Sequence, residues 1–200
     1  SNAHAVVIAD IGSTKFVGNN KGGFSLVFKR FRRMQILNKN AFNDAKVEIG
    51  LYTIDTREEQ LNNLKAVTYN LENGKVVETK LDKSEVFKEK LSKNLVVKKF
   101  TFPNLREGSI IEYKYTIKDV NLPDWVFQRL EIPTIWSEFK ASVPSFVEFK
   151  KMSQGWVPFT LAEEQEDDLN AGTSLTYTAT RMHFIQENIP ALKPEAFVLS

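Results

Sequence analysis

The 200-residue chain has no cysteine. It therefore cannot form a disulfide, bind a metal through thiolates or use a thiol as a nucleophile. Histidine is almost as scarce, and a catalytic triad or an imidazole metal site would have to use His4 or His183. Neither lies beside a nucleophile or ligand motif, so we expect structural or solvent-exposed roles for both. The sequence predicts no catalytic, cofactor-binding or metal-binding residue, and no cofactor.

An excess of one charge is also missing, since 27 Lys and Arg face 25 Asp and Glu and leave a formal net charge of +2. This balance argues against nucleic acid as a partner. No apolar run approaches the roughly 18 residues that span a bilayer, so we expect no membrane span. Ser1-Asn2-Ala3 is typical of the scar left by an expression tag, ahead of which a secretory signal would have been removed. The sequence itself therefore gives no direct information on the compartment.

What the chain does contain is alternation of apolar and polar residues. Between residues 110 and 117, Ile111, Tyr113, Tyr115 and Ile117 share one face of a half-buried strand. The Asn73-Gly74 pair between two apolar runs predicts a hairpin. The sequence thus predicts a mainly β, antiparallel β-sandwich-like domain with at most one or two short helices. Further strands are expected at 47–51, 66–71, 75–81, 95–102, 136–143, 145–152 and 174–181.

Other segments are irregular. The run from Phe24 to Leu37 would place Arg30 and Arg32 on its apolar face, so we expect a β-bulge or bend near residues 29–31 that restores that face. Asp10 to Ser13 is expected to turn the chain between two short strands. Residues 82–91 are the best helix candidate and 57–64 a weaker one, while the acidic run 163–168 is expected to be a solvated loop.

Two residue sets invite a binding interpretation. Lys29 to Arg33 alternates bases with Phe31, as single-stranded nucleic acid sites do, but a strand with one solvated basic face is the simpler interpretation. Trp125, Trp136 and Trp156 are candidate binding residues, because exposed aromatic rings in β-sandwiches stack on sugars. Packing in the core or at an interface is the alternative for all three. A pair of carboxylates acting as a hydrolase is conceivable among 25 acids, but no pattern selects two of them.

Several separate segments resemble the uncharacterised N-terminal domain that precedes a transglutaminase-like core in many bacterial exported proteins. The clearest is Phe102-Pro103-Asn104-Leu105 followed by Glu107-Gly108-Ser109-Ile110-Ile111-Glu112-Tyr113. The other segments are Val6–Asp10, Arg33–Leu37, Ala66–Asn70 with Asn73–Lys75, Leu122–Trp125 with Phe127–Gln128, and Ile132–Pro144. The resemblance covers essentially the whole chain after residue 3.

The resemblance implies a noncatalytic accessory domain, periplasmic or secreted, followed in the whole protein by a papain-like core with a Cys-His-Asp arrangement. On this interpretation, residues 4–188 form one domain and the proline-bearing stretch 189–200 is a linker towards that core. The core would be the partner in cis, and the 200 residues themselves would not be an enzyme. The alternative is a carbohydrate- or peptide-binding β-sandwich whose ligand is a glycan or a protein segment.

Overall fold

The computed structural model describes residues 3–19, 23–54, 57–118, 123–129, 131–149, 157–170 and 176–192. In this part of the chain, twelve strands form two sheets, and two short 3₁₀ helices lie between strands. The predicted fold class, mainly β and sandwich-like, is therefore confirmed. The strands are β1 (Ala5–Gly18), β2 (Phe24–Ile36), β3 (Lys46–Ile54), β4 (Arg57–Glu58), β5 (Gln60–Glu72), β6 (Lys75–Lys80), β7 (Phe87–Ser92), β8 (Leu95–Thr101), β9 (Ile110–Lys118), β10 (Thr134–Pro144), β11 (Leu161–Asn170) and β12 (Thr176–Ile189). The 3₁₀ helices span Lys39–Phe42 and Lys83–Glu85.

The larger sheet has the order β11-β12-β10-β1-β2-β9-β5-β6, and the smaller one β4-β3-β8-β7. Neighbouring strands are antiparallel apart from β1 and β10, which run parallel. The main core lies between the sheets, where Phe28, Met34 and Tyr113 of the larger sheet pack with Ile49 and Phe100 of the smaller one. We call this side of the larger sheet its inner face and the other side its outer face.

β10 and β12 contribute a second, smaller apolar cluster around Ala141, Val143 and Met182. Residues 123–129 lie near it, and Trp125 stacks on Phe139 of β10 with ring centroids 5.3 Å apart. This segment covers part of the inner face of the larger sheet. It also carries one of the motifs on which the family resemblance rests.

The Pro103–Gly108 turn carries the chain from β8 in the smaller sheet to β9 in the larger one. Its buried polar groups are paired: the Ser109 hydroxyl donates to Asn70 Oδ1 over 2.5 Å, and Asn70 Nδ2 donates to the Asn104 carbonyl over 2.8 Å. Asn104 and Gly108 adopt positive φ, at 52° and 83°, where asparagine and glycine are favoured. The best-matching motif of the sequence therefore has a structural role, that of linking two sheets.

The Asn73-Gly74 hairpin is confirmed between β5 and β6, with both residues at positive φ. The helix expected at 82–91 was wrong beyond its first turn. Asp82 and Glu85 form a capping box around the 3₁₀ helix, and the chain then becomes strand β7. The helix expected at 57–64 was also wrong, because β4 and β5 occupy that stretch.

The acidic run 163–168 was wrongly expected to be a loop. It lies in β11, the edge strand of the larger sheet, where most side chains are solvated on both faces and no apolar alternation is needed. The strand expected at 145–152 is absent from residues 145–149, which form a turn after Pro144, and its remainder lies outside the described residues.

The predicted domain limits at residues 188 and 189 stay a prediction. Ile189 is the last residue of β12 and is 1% exposed. Beyond it, Leu192 exchanges backbone hydrogen bonds with the stretch around Arg129: its N–H donates to the Arg129 carbonyl, and its carbonyl accepts from Glu131. Residues 193–200 of the expected linker lie outside the described residues.

Candidate functional site

The site begins with a departure from the expected strand pattern. β1 is one continuous strand of 14 residues, so the turn expected at Asp10 to Ser13 was wrong. The expected bulge at residues 29–31 was wrong too, because β1 and β2 pair without a break from Ala9↔Arg33 to Gly18↔Phe24. The irregularity lies instead between Val7 and Ala9 of β1. As a result, Arg30 and Arg32 stay on the same face as Phe28.

Strand register brings polar residues into a row across the inner face. Ser137, Asp10, Arg32 and Tyr113 lie side by side on β10, β1, β2 and β9. The adjacent row is Phe139, Gly12, Arg30 and Tyr115. Two arginines of β2 therefore meet one aspartate of β1 on the face that also carries the main apolar core.

Asp10 is the centre of this arrangement, with its side chain 2% exposed. Arg30 binds it in a bidentate manner, with Nε donating to Oδ1 over 2.9 Å and Nη2 to Oδ2 over 2.7 Å. Arg129 Nη2 donates to Oδ2 over 2.9 Å, and Arg32 Nε lies 3.8 Å from the same oxygen. We call Asp10 with Arg30, Arg32 and Arg129 the arginine cluster.

The charge state of the cluster follows from its surroundings. Burial alone would raise the pKa of Asp10, but the adjacent Arg30, together with Arg32 and Arg129, holds that pKa below its usual value. Burial and the neighbouring Arg32 lower the pKa of Arg129, while burial raises the pKa of the Tyr115 phenol even with Arg30 beside it. Arginine stays protonated at neutral pH. The cluster thus holds three positive charges against one negative charge, a surplus of two.

Trp125 forms one wall of the cluster. The Arg30 guanidinium lies 5.2 Å from the ring centroid of Trp125, a cation–π contact, and the indole Nε1 donates to Ser137 Oγ over 3.2 Å. Gly12 makes this contact possible. A Cβ at that position would lie 2.3 Å from Trp125 Cζ3, which no side chain could tolerate without displacing the ring. Gly12 thus lets the indole lie directly on β1.

A second buried carboxylate lies on the outer face. Glu138 accepts hydrogen bonds from Trp136 Nε1 over 3.1 Å and from Lys140 Nζ over 2.8 Å, and its Oε1 lies 2.8 Å from His183 Nε2. We call these four residues the Glu138 cluster. Burial works against ionisation of Glu138, but bonds from Lys140, Trp136 and His183 lower its pKa overall. His183, the second histidine of the chain, thus pairs with a carboxylate.

The two candidate tryptophans that the structure describes, Trp125 and Trp136, do not lie together. Ser137 and Phe139, which contact Trp125, alternate along β10 with Trp136 and Glu138. Because successive residues of a strand point to opposite faces, Trp125 and Trp136 lie on opposite sides of the sheet. Trp156 lies outside the described residues. Whether any of the three binds a ligand stays a prediction.

The basic stretch of β2 also differs from its simplest interpretation. Arg30 and Arg32 point into the sandwich, while Arg33 lies on the outer face and its Nε donates to Glu112 Oε2 over 2.9 Å. His4, the other histidine, lies 3.0 Å from the Asp44 carboxylate near the surface. Among the described residues, no three His, Asp or Glu side chains are grouped as metal ligands, and no helix is long and apolar enough to cross a bilayer.

Comparison with known proteins decides the family. Residues 25–180 match the family described as a Domain of Unknown Function with a solved structure, DUF3857. This chain belongs to the DUF3857 family. The match includes β2 through β11 except the first residue of β2, and it ends within β12; it thus contains Arg30, Arg32 and Arg129 but not Asp10. No curated protein matches this DUF3857 chain.

Two solved structures are similar to this DUF3857 domain. One is the crystal structure of a "putative protease" from Parabacteroides distasonis, with 16% identity, a TM-score of 0.64, and coverage of 97% of this chain. The chain spans 37% of the length of that protein. The other is a "putative nutrient binding protein" from Legionella pneumophila, with 9% identity, a TM-score of 0.37, and coverage of 98% of this chain and 66% of that one. At these identities the first similarity concerns the fold alone.

Proposed function

We propose that this DUF3857 domain is a noncatalytic accessory domain of a longer transglutaminase- or protease-like protein. In that protein it supports the catalytic domain and contributes to binding of its substrate or partner. The proposal includes an extracytoplasmic location, periplasmic or secreted. It rests on the segments that resemble domains preceding a transglutaminase-like core, and on the chemistry of the buried charges.

The observation that carries the proposal is the state of Asp10, the most deeply buried acid of the inner face. A carboxyl group acts as an acid or base at neutral pH when its pKa is raised towards neutrality. The pKa of Asp10 is lowered although burial opposes this, because three guanidinium groups surround the carboxylate. Asp10 is therefore suited to joining β1, β2 and the segment that carries Arg129, and unsuited to proton transfer.

The composition supports the same proposal. A transglutaminase-like reaction needs a thiolate nucleophile activated by an imidazole. The 200 residues have no cysteine, so the nucleophile would come from another part of the protein. The Parabacteroides distasonis protein with the similar fold is much longer than this chain, which spans 37% of its length.

Binding of glycans through a tryptophan platform has less support. A platform needs rings that are exposed together on one surface. Trp125 is stacked on Phe139 and bonded to Ser137, and Trp136 lies on the other face of β10. An accessory role that uses a different surface is therefore the better proposal.

The first test is an assay of the purified 200-residue chain for amide hydrolysis and acyl transfer. We expect no turnover above the uncatalysed rate, with papain as the positive control for the assay. Turnover that co-purifies with the folded chain would contradict a noncatalytic role.

The second test concerns the gene that encodes this chain. We expect its reading frame to continue into a segment with a cysteine and a histidine in transglutaminase-like context. Deleting residues 4–188 from that longer protein should then lower its activity or its yield of folded enzyme. Full activity without this domain would contradict the supporting role.

A further inference from the structure

The arginine cluster carries more positive charge than its single carboxylate neutralises. Burying unmatched charge is costly, because the protein interior solvates ions poorly. The side chains of Arg30, Arg32 and Arg129 are 19%, 15% and 25% exposed, so each guanidinium is largely withdrawn from water. Among the described residues, Asp10 is the one acid that pairs with these three arginines. Arg30 and Arg129 bond to Asp10 and join three segments of the chain, which leaves Arg32 without a structural bond to that carboxylate.

Arg32 is the residue that the structural role does not use. Its Nε lies 3.8 Å from Asp10 Oδ2, beyond hydrogen-bond distance, and no group of the described residues accepts a bond from this buried nitrogen. A buried donor without a partner costs free energy and is rare in folded proteins. The Nε–H of Arg32 therefore has no acceptor among the described residues, although the side chain as a whole is 15% exposed.

The geometry around this donor suits an oxygen-rich anion. Guanidinium groups bind carboxylates and phosphates through paired N–H donors. Arg32 and Arg129 both lie against the same oxygen of Asp10, so their guanidinium groups are close neighbours. Arg129 is held in place through its backbone, which pairs with Leu192, while Gln128 Nε2 donates to the Pro190 carbonyl over 2.9 Å.

We propose that Arg32 and Arg129 form a binding site for an oxyanion, either a carboxylate or a phosphate group, beside the Asp10–Arg30 pair. Asp10 holds Arg129 through the bond from Nη2, Arg32 lies beside the same carboxylate oxygen, and Trp125 closes the side next to Arg30. The anion neutralises part of the surplus charge and accepts the Nε–H of Arg32. This site is independent of the proposed accessory role, since it requires no second domain.

The test uses the 200-residue chain and compares sodium phosphate, sodium succinate and sodium chloride at equal ionic strength. Binding to the folded state raises the unfolding midpoint, because stability increases with the logarithm of one plus the ligand concentration divided by Kd. We expect phosphate, succinate or both to raise the midpoint more than chloride. Succinate alone identifies a carboxylate site, and phosphate alone identifies a phosphate site. Equal midpoints in all three salts would overturn the proposal.

Two variants localise the effect. Arg32→Met removes the free donor, whereas Arg33→Met makes the same charge change one residue along on the outer face. We expect Arg32→Met to weaken oxyanion binding by about tenfold or more and Arg33→Met to leave it near the wild-type value. Equal weakening in both variants indicates general charge screening, an adventitious ion only, and overturns the proposal.

A measurement on the wild-type chain covers the case in which Arg32→Met does not fold. The Nε–Hε resonances of arginine side chains report directly on hydrogen bonding at that nitrogen. We expect the Arg32 resonance to shift on titration with the effective oxyanion and to stay constant with chloride. A resonance that does not move with either phosphate or succinate would overturn the site, and it would leave the accessory role unaffected.

Discussion

The larger sheet buries two carboxylates on adjacent strands and opposite faces, and the two are paired in different ways. Asp10 on the inner face is surrounded by three arginines. Glu138 on the outer face bonds Trp136, Lys140 and His183, of which Lys140 carries a fixed charge at neutral pH and His183 a charge only when protonated. The inner cluster thus has a permanent surplus of positive charge, whereas the outer cluster is balanced when His183 is neutral.

The two clusters differ in whether every partner of the buried carboxylate bonds to it. In the Glu138 cluster every partner bonds to the carboxylate, so the arrangement is complete within the chain. In the arginine cluster Arg30 and Arg129 bond to Asp10, while Arg32 lies too far away. The surplus charge and the unpaired Nε–H of Arg32 occur in the same cluster, and they are the two observations on which the proposed oxyanion site rests.

The largest expected effect comes from Asp10→Asn. Removing the single acid leaves three buried guanidinium groups without a countercharge, and we expect a loss of about 3 to 5 kcal/mol in the free energy of unfolding. Urea denaturation at neutral pH measures the change. The matched control is Asp44→Asn, which removes a surface pair with His4 and should cost less than about 1 kcal/mol. Similar losses in both variants would mean that Asp10 does not hold the inner face together.

A smaller effect is expected when the wall of the arginine cluster is displaced. Gly12→Ala places a methyl group 2.3 Å from Trp125 Cζ3, so the indole must move off Phe139 and Arg30. We expect a loss of about 1 to 3 kcal/mol and a changed near-ultraviolet circular dichroism spectrum. Gly23→Ala is the control, because the closest atoms to its Cβ are 3.7 Å away. An unchanged spectrum for Gly12→Ala would contradict the placement of Trp125.

Glu138→Gln tests the outer cluster, and we expect a loss of about 1 to 2 kcal/mol, since a neutral amide can still accept one of the three bonds. The pKa of Glu138 is lowered in the folded state, so its contribution is present above the pKa of an unfolded glutamate. It disappears as the pH falls through the folded-state value. Unfolding measured across acidic pH should therefore show wild type and variant converging. A difference that persists once the carboxyl group is protonated would point to packing rather than charge.

The smallest effect is expected for Arg32→Met in chloride. The substitution removes surplus charge and an unpaired donor and keeps most of the apolar length of the side chain, so stability should change by less than about 1 kcal/mol in either direction. Arg30→Met is the contrasting variant, because it breaks the bidentate bond to Asp10. A loss for Arg32→Met as large as that for Arg30→Met would show that Arg32 is part of the structural pair.

Much of the fold could be predicted from the sequence, because many strands and turns are determined by residues that are close together in the chain. The alternation of Ile111, Tyr113, Tyr115 and Ile117 predicts β9, and Asn73-Gly74 predicts the hairpin between β5 and β6. An edge strand such as β11 cannot be predicted in this way, because most of its side chains are solvated and its sequence shows no alternation of apolar and polar residues. Segment 57–64 was misassigned since short polar stretches fit a helix as well as a strand.

The arginine cluster could not be predicted, because its partners meet only through the tertiary fold. Asp10 and Arg129 are 119 residues apart in the sequence. The signal in the sequence is the interruption of an apolar face by Arg30 and Arg32, a pattern that also fits a β-bulge. An alternative was available, since two arginines on an apolar face also predict a buried acid from a neighbouring strand, and Asp10 is the acid inside the apolar stretch of β1.

A double-mutant cycle on Asp10 and Arg30 tests most directly whether one carboxylate compensates the buried arginines. Asp10→Asn, Arg30→Met and the double variant are each unfolded in urea at neutral pH, in chloride. We predict a coupling energy of about 1 to 3 kcal/mol, with the double variant losing clearly less stability than the two single losses combined. Losses that add to within about 0.5 kcal/mol would contradict the account, because Asp10 and Arg30 would then act independently.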